Sequence, residues 1–166
     1  MGAYQLTGGS LIVRESDGAF IPADPRNADY RTYLQWVAAG NVPDPPPAPA
    51  PAQVGQATYN AAIAAGCQIV STGTPALNGT YALDDASLLK LVGEQNYIQL
   101  KSTFTNGQAT RAWLDAAGAP HIFPSTSAFT SFAEALGAYI DALQTALAAA
   151  LAGGAWIAPA QPVAIP

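Results

Sequence analysis

Charge is what this sequence has least of. Only 10% of its 166 residues are Asp, Glu, Lys or Arg, against roughly 25% in an ordinary soluble protein. From Pro120 to Pro166 the only charged side chains are Glu134 and Asp141. A small protein alone in water covers itself with such groups, which keep it dispersed and monomeric. Their scarcity implies a surface covered by other chains. A compact alanine-rich fold with a neutral polar exterior is the alternative. The balance is also acidic, eleven acids to six bases with a pI near 4.4. That argues against a nucleic-acid module, which needs a basic stripe to meet phosphates.

Cysteine and histidine are nearly absent. The single Cys67 excludes an intrachain disulfide framework and a cysteine-based structural zinc site. The single His121 removes most metal and general-base designs. A thiolate and its base are conceivable for this pair, but nothing in the sequence brings them together or supplies a third orienting group. Cys67 follows a helix-ending Gly66 and reads as a small buried hydrophobe. His121, between Pro120 and Ile122, reads as a hydrogen-bonded structural residue of a hairpin. Asp84-Asp85 suits a helix cap and first turn better than acid/base work. No phosphate-loop pattern occurs. Trp36, Trp113 and Trp156 read as packing or interface anchors rather than a sugar platform. No catalytic, cofactor-binding or metal-binding residue is therefore assigned.

Long hydrophobic runs are missing as well. Ala142–Ala158 is broken by Gly153-Gly154 and dominated by alanine, short of the about 20 residues a spanning helix needs, so no membrane insertion is expected. Met1–Gly9 has neither a basic region nor an apolar core, so it does not read as a secretory signal peptide. These readings place the chain in the cytoplasm or in a particle assembled there.

Proline is what the sequence has in excess. The run from Pro43 to Ala52 reads as an extended spacer, because proline fixes φ and removes a donor. It divides the chain into an N-terminal docking module (1–42), a linker (43–52), a C-terminal module (53–153) and an extended apolar arm (154–166). In the first module Ser10–Arg14 and Ala19–Pro22 flank Asp17-Gly18, a hairpin signal. A helix follows, with Asp24 as the expected cap and Pro25 in its first turn. It carries Tyr30, Tyr33 and Trp36. So few residues bury little surface alone, so these aromatics are candidate partner contacts.

The C-terminal module reads as a helix over Gln53–Ala65, strands at Cys67–Ser71 and Gly79–Leu83, and a helix from Asp84 or Asp85 to about Lys101. A second hairpin spans Thr110–Asp115 and Pro120–Phe123. The fold class is α+β. A long helix over 126–152 carries Phe129, Phe132, Leu136, Tyr139, Leu143 and Leu147 at steps of three and four. That seam serves either its own domain or a bundle with other copies, which makes a homo-oligomer an expectation. Trp156, Ile157, Val163 and Ile165 in the uncharged tail are candidate contacts for a partner's groove.

Two stretches carry a resemblance. Ile21 to Trp36, followed by Gly40-Asn41 and the proline run, resembles the N-terminal segment of bacteriophage tail-fibre-associated proteins. Trp113 to Thr126, with the Phe129 helix, is similar to a phage tail domain encoded near fibre genes. The resemblance supplies no catalytic residues. It implies a non-enzymatic structural component of the virion, at the tail or baseplate, connecting or decorating fibres. The alternatives are a chaperone for fibre assembly and a receptor- or glycan-binding tip.

Overall fold

The computed structural model describes residues 3–166, which form two units divided between Pro49 and Ala50. In the first, strands β1 (Tyr4–Leu6), β2 (Leu11–Arg14) and β3 (Ala19–Pro22) make an antiparallel meander, and helix α1 (Ala28–Ala38) follows. Alternation decides the inward face. Ile12 stands opposite Ile21 in the ladder and both are buried, whereas the neighbouring Phe20 points out. Tyr33 joins them beneath α1, with the Tyr4 ring edge-on to Tyr33 at 5.2 Å and to Trp36 at 5.1 Å. Arg14 ties hairpin to helix by pairing with Asp17 at 2.7 Å and Asp29 at 2.9 Å.

The start of α1 differs from expectation. Asn27, not Asp24, is the cap, its side chain accepting from the Tyr30 N–H. Asp24 instead accepts from the backbone N–H of Arg26 and pairs with its guanidinium. Asp24 and Pro25 thus shape the preceding turn, because a local side-chain bond two residues on competes with helix initiation.

The proline spacer is also shorter than the sequence suggests. Leu6 N–H donates to Asp44 O and Asp44 N–H to Tyr4 O, both at 2.9 Å, so the chain beside Asp44 runs parallel to β1. The open edge of β1 offers donors and acceptors that a neighbouring extended segment can satisfy.

The second unit begins with α2 (Pro51–Ala65), two residues ahead of the expected start, with proline in its first turn. Gly66 ends it at φ 79°, a conformation that favours glycine. Then come β4 (Cys67–Ser71), a 3-10 turn at Pro75–Leu77, β5 (Gly79–Tyr81) and α3 (Asp85–Lys101), capped by Asp84. Next are β6 (Arg111–Leu114), β7 (Pro120–Phe123), α4 (Thr126–Leu151) and β8 (Val163–Ile165). β5 pairs antiparallel and β8 parallel with β4, while β6 and β7 form a separate hairpin. The architecture is α+β, as the sequence implies.

Helix α4 is the axis of the core. Phe129, Phe132, Leu136, Tyr139 and Leu143 are buried among residues of this same chain, including Ile69, Tyr81, Phe104 and Phe123. Leu147 is half-buried. The seam packs inside its own unit, against the two small sheets and α2. Where α2 crosses α4, a Cβ built on Gly55 would fall 2.4 Å from the Ala150 Cβ. Gly55→Val is therefore expected to force the helices apart at a cost of about 1–3 kcal/mol, read as a lower midpoint in urea unfolding.

The apolar tail likewise returns to its own chain. Val163–Ile165 completes the β4 edge, and Ile165 is buried. Ser71 Oγ donates to Pro166 O at 2.7 Å. The Gln161 side chain bonds Tyr139 Oη and accepts from Gln68 N–H. An unpaired strand edge inside the unit takes up these peptide groups at no cost in lost translational freedom.

Candidate functional site

Among the thirteen residues expected to meet a partner, the structure leaves Ile157 alone strongly exposed, at 77%. Tyr33, Phe129, Phe132, Leu136, Tyr139, Leu143 and Ile165 are buried. Tyr30, Trp36, Leu147, Trp156 and Val163 are half-buried. Most join one of two cores: the three N-terminal-unit members, Tyr30, Tyr33 and Trp36, pack with Tyr4 in one, and Phe129, Phe132, Leu136, Tyr139, Leu143, Trp156, Val163 and Ile165 in the other. The three tryptophans are half-buried, and each packs against its own unit's core.

The surface lies elsewhere, around α3. That helix meets the core through a narrow row, Leu91, Glu94 and Ile98, at spacings of three and four. Its opposite face carries Leu89, Val92 and Leu100, with exposures of 74%, 53% and 80%. Because the seat is narrow, clefts open along both flanks, all lined by Leu88. The most polar, about 450 Å³, lies between α3 and β6.

Two groups of charge mark this cleft. Glu94, buried to 4% exposure, accepts from Thr105 N–H at 2.8 Å and Thr105 Oγ1 at 2.7 Å. It also pairs with Arg111 Nη2 at 3.2 Å. Arg111 Nε is buried without a partner. Lys90, one turn before Glu94, is exposed and has no ion-pair partner among the described residues. Asp84 and Asp115 also line the cleft. Asp84 accepts from Ser87 N–H at 3.0 Å and Ser87 Oγ at 2.7 Å. Asp115 accepts from Ala117 N–H at 2.9 Å and Ala119 N–H at 2.8 Å, and lies 3.3 Å from His121 Nε2.

These bonds decide the chemistry. Ser87 holds the Asp84 carboxyl below the usual carboxylate range. The Ala119 N–H, then His121 and Ala117, do the same for Asp115. Each stabilises the fold above the ordinary carboxylate pKa, and the contribution fades as pH falls through the lowered folded value. Both are engaged carboxylates rather than proton carriers poised near neutrality. Tyr81 donates to Leu77 O at 2.8 Å, and burial pushes its phenol up.

His121 Nδ1 lies 2.8 Å from Ala76 O, and its ring covers Gly79, where a Cβ would come within 2.9 Å of Nε2. Cys67 is fully buried, and burial pushes its thiol up to about 11. The two are not hydrogen-bonded to one another. Since the thiolate is the nucleophile, Cys67 is expected to resist a disulfide-exchange reagent at about pH 8 in the folded protein and to react fully in urea. Rapid labelling without denaturant would contradict its burial. Among the described residues no cluster of His, Cys, Asp and Glu could hold a metal ion, and no helix is long and apolar enough to cross a membrane.

The sequence reading missed this site. Glu94 left a signal, since it falls at core spacing between Leu91 and Ile98. Lys90 and Arg111 left none, because their nearness requires β6 to lie beside α3. The fold and site define an α+β protein with a charged, apolar-floored cleft whose carboxylates are already bonded. Compared with protein-family models, curated proteins and solved structures, the chain matches none.

Proposed function

We propose that the chain is a non-enzymatic structural component of a bacteriophage virion, at the tail or baseplate, where it connects or decorates tail fibres. The observation that carries the reading is the outer face of α3. Leu89, Val92 and Leu100 lie exposed on a protein with very little charge to keep such a face apart from others. Uncharged α2 and the resemblance of Ile21–Trp36 to fibre-associated segments support the same role. The infolded tail shifts the expected anchor from 154–166 to α3.

Mass spectrometry of gradient-purified particles tests it, with the chain expected in fixed proportion to the fibre protein. The double variant Leu89→Glu, Leu100→Glu should fold normally and be lost from particles. Wild-type chain absent from particles, with fibres that misassemble without it, would replace the structural role by the chaperone.

A further inference from the structure

The α3–β6 cleft has electrical polarity. The two elements line it in opposite directions: Arg111, at the start of β6, pairs with Glu94 of α3, whereas Ala116, just beyond β6, lines a neighbouring cleft together with Asp84 and Asp85 at the α3 start. Cations Lys90 and Arg111 therefore mark one end, and carboxylates Asp84 and Asp115 the other. Between them lie Leu88, Leu91 and Leu136 with the aromatic Tyr81 and Trp113.

We propose that this cleft binds an extended segment of a partner protein, with an acidic residue against Lys90 and Arg111, a basic residue against Asp84 and Asp115, and a large apolar side chain between them. This rests on the assembly role above and names the chemistry of the partner.

Three features select that occupant. The first is complementarity at both ends, which sets register and orientation. Among the described residues Lys90 has no ion-pair partner and Arg111 meets Glu94 through Nη2, so the cationic end retains donors for a carboxylate. The second is length. From Asp84 to Lys90 the helix rises about 9 Å at 1.5 Å per residue, which an extended strand covers in about three residues. The third is the floor. Leu88, Leu91 and Leu136 line it together with Tyr81 and Trp113, and the Asp84 and Asp115 carboxylates keep their negative charge for a basic group while accepting internal bonds. A peptide side chain such as leucine buries there favourably.

A random dodecapeptide library displayed on a carrier and panned against the full chain tests the proposal. Enriched peptides should carry an acidic and a basic residue three or four apart around a large apolar one. Lys90→Glu, at an exposed position, should weaken them about tenfold by reversing the charge at one end. Asp84→Asn, which keeps an oxygen to cap α3, should weaken them about threefold. Circular dichroism melts of both variants check that the fold is unchanged.

No enrichment, peptides lacking the charge pair, or equal binding to Lys90→Glu would overturn it. Binding to arrayed uronic- or sialic-acid glycans that Lys90→Glu abolishes would assign the cleft to sugars and also overturn it. Any of these results leaves the particle mass spectrometry unaffected, so the two readings fail separately.

Discussion

Phe129→Ala is expected to lower the unfolding free energy of the C-terminal unit by about 3–5 kcal/mol, the range for truncating a buried aromatic. Phe129 has no exposed surface and stands at the meeting point of four rings. Trp113 and Phe123 lie 5.1 Å away, Phe132 5.7 Å and Phe104 5.9 Å, the closest two edge-on. These rings come from the loop after α3, from both strands of the hairpin and from α4 itself. The loss therefore combines hydrophobic transfer, an unfilled cavity and broken edge-to-face pairs. Urea unfolding followed by tryptophan fluorescence would show it as a large drop in midpoint. A change below about 1 kcal/mol would mean that the surroundings collapse into the space, contrary to a core braced from three elements.

Glu94→Ala should cost a similar amount, about 3–5 kcal/mol, for a different reason. Its removal leaves Arg111 without its carboxylate and takes two acceptors from Thr105. Most of the cost is the stranded charge rather than the worth of the pair. The double variant Glu94→Leu, Arg111→Met should recover much of the loss, since replacing both ions by apolar groups avoids the desolvation penalty. Equal destabilisation by single and double variants would instead place the effect in the Thr105 bonds. The α3–β6 cleft would lose one cation in the double variant, so peptide binding should weaken even where stability returns.

Much of the fold could be read from local pattern. The α4 seam was visible because steps of three and four put Phe129 to Leu147 on one face. Cys67–Ser71 and Pro120–Phe123 were visible because turn residues bound both segments. The strands Tyr4–Leu6 and Val163–Ile165 were not, since three residues carry too little alternation to separate strand from loop. Their backbone groups become ordered by pairing with β2 and β4. The cap of α1 was misplaced because Asp24 and Asn27 are both good caps, and only the Asp24–Arg26 contacts distinguish them.

The functional surface was less legible still. Apolar residues on a helix pattern announce burial but not what buries them, so the aromatic seam suited both a bundle of copies and a private core. The sequence by itself determined the order of the longer elements, most of their inward faces and the poverty of charge, because propensity, alternation and composition are properties of neighbouring residues. Only the tertiary structure decided that the tail returns to β4, that α3 leaves Leu89 and Leu100 uncovered, and that Asp84 and Lys90 share one cleft with Arg111 and Asp115. Those facts depend on segments far apart in the chain competing for the same strand edge and the same flank of α4, a competition that local sequence does not encode.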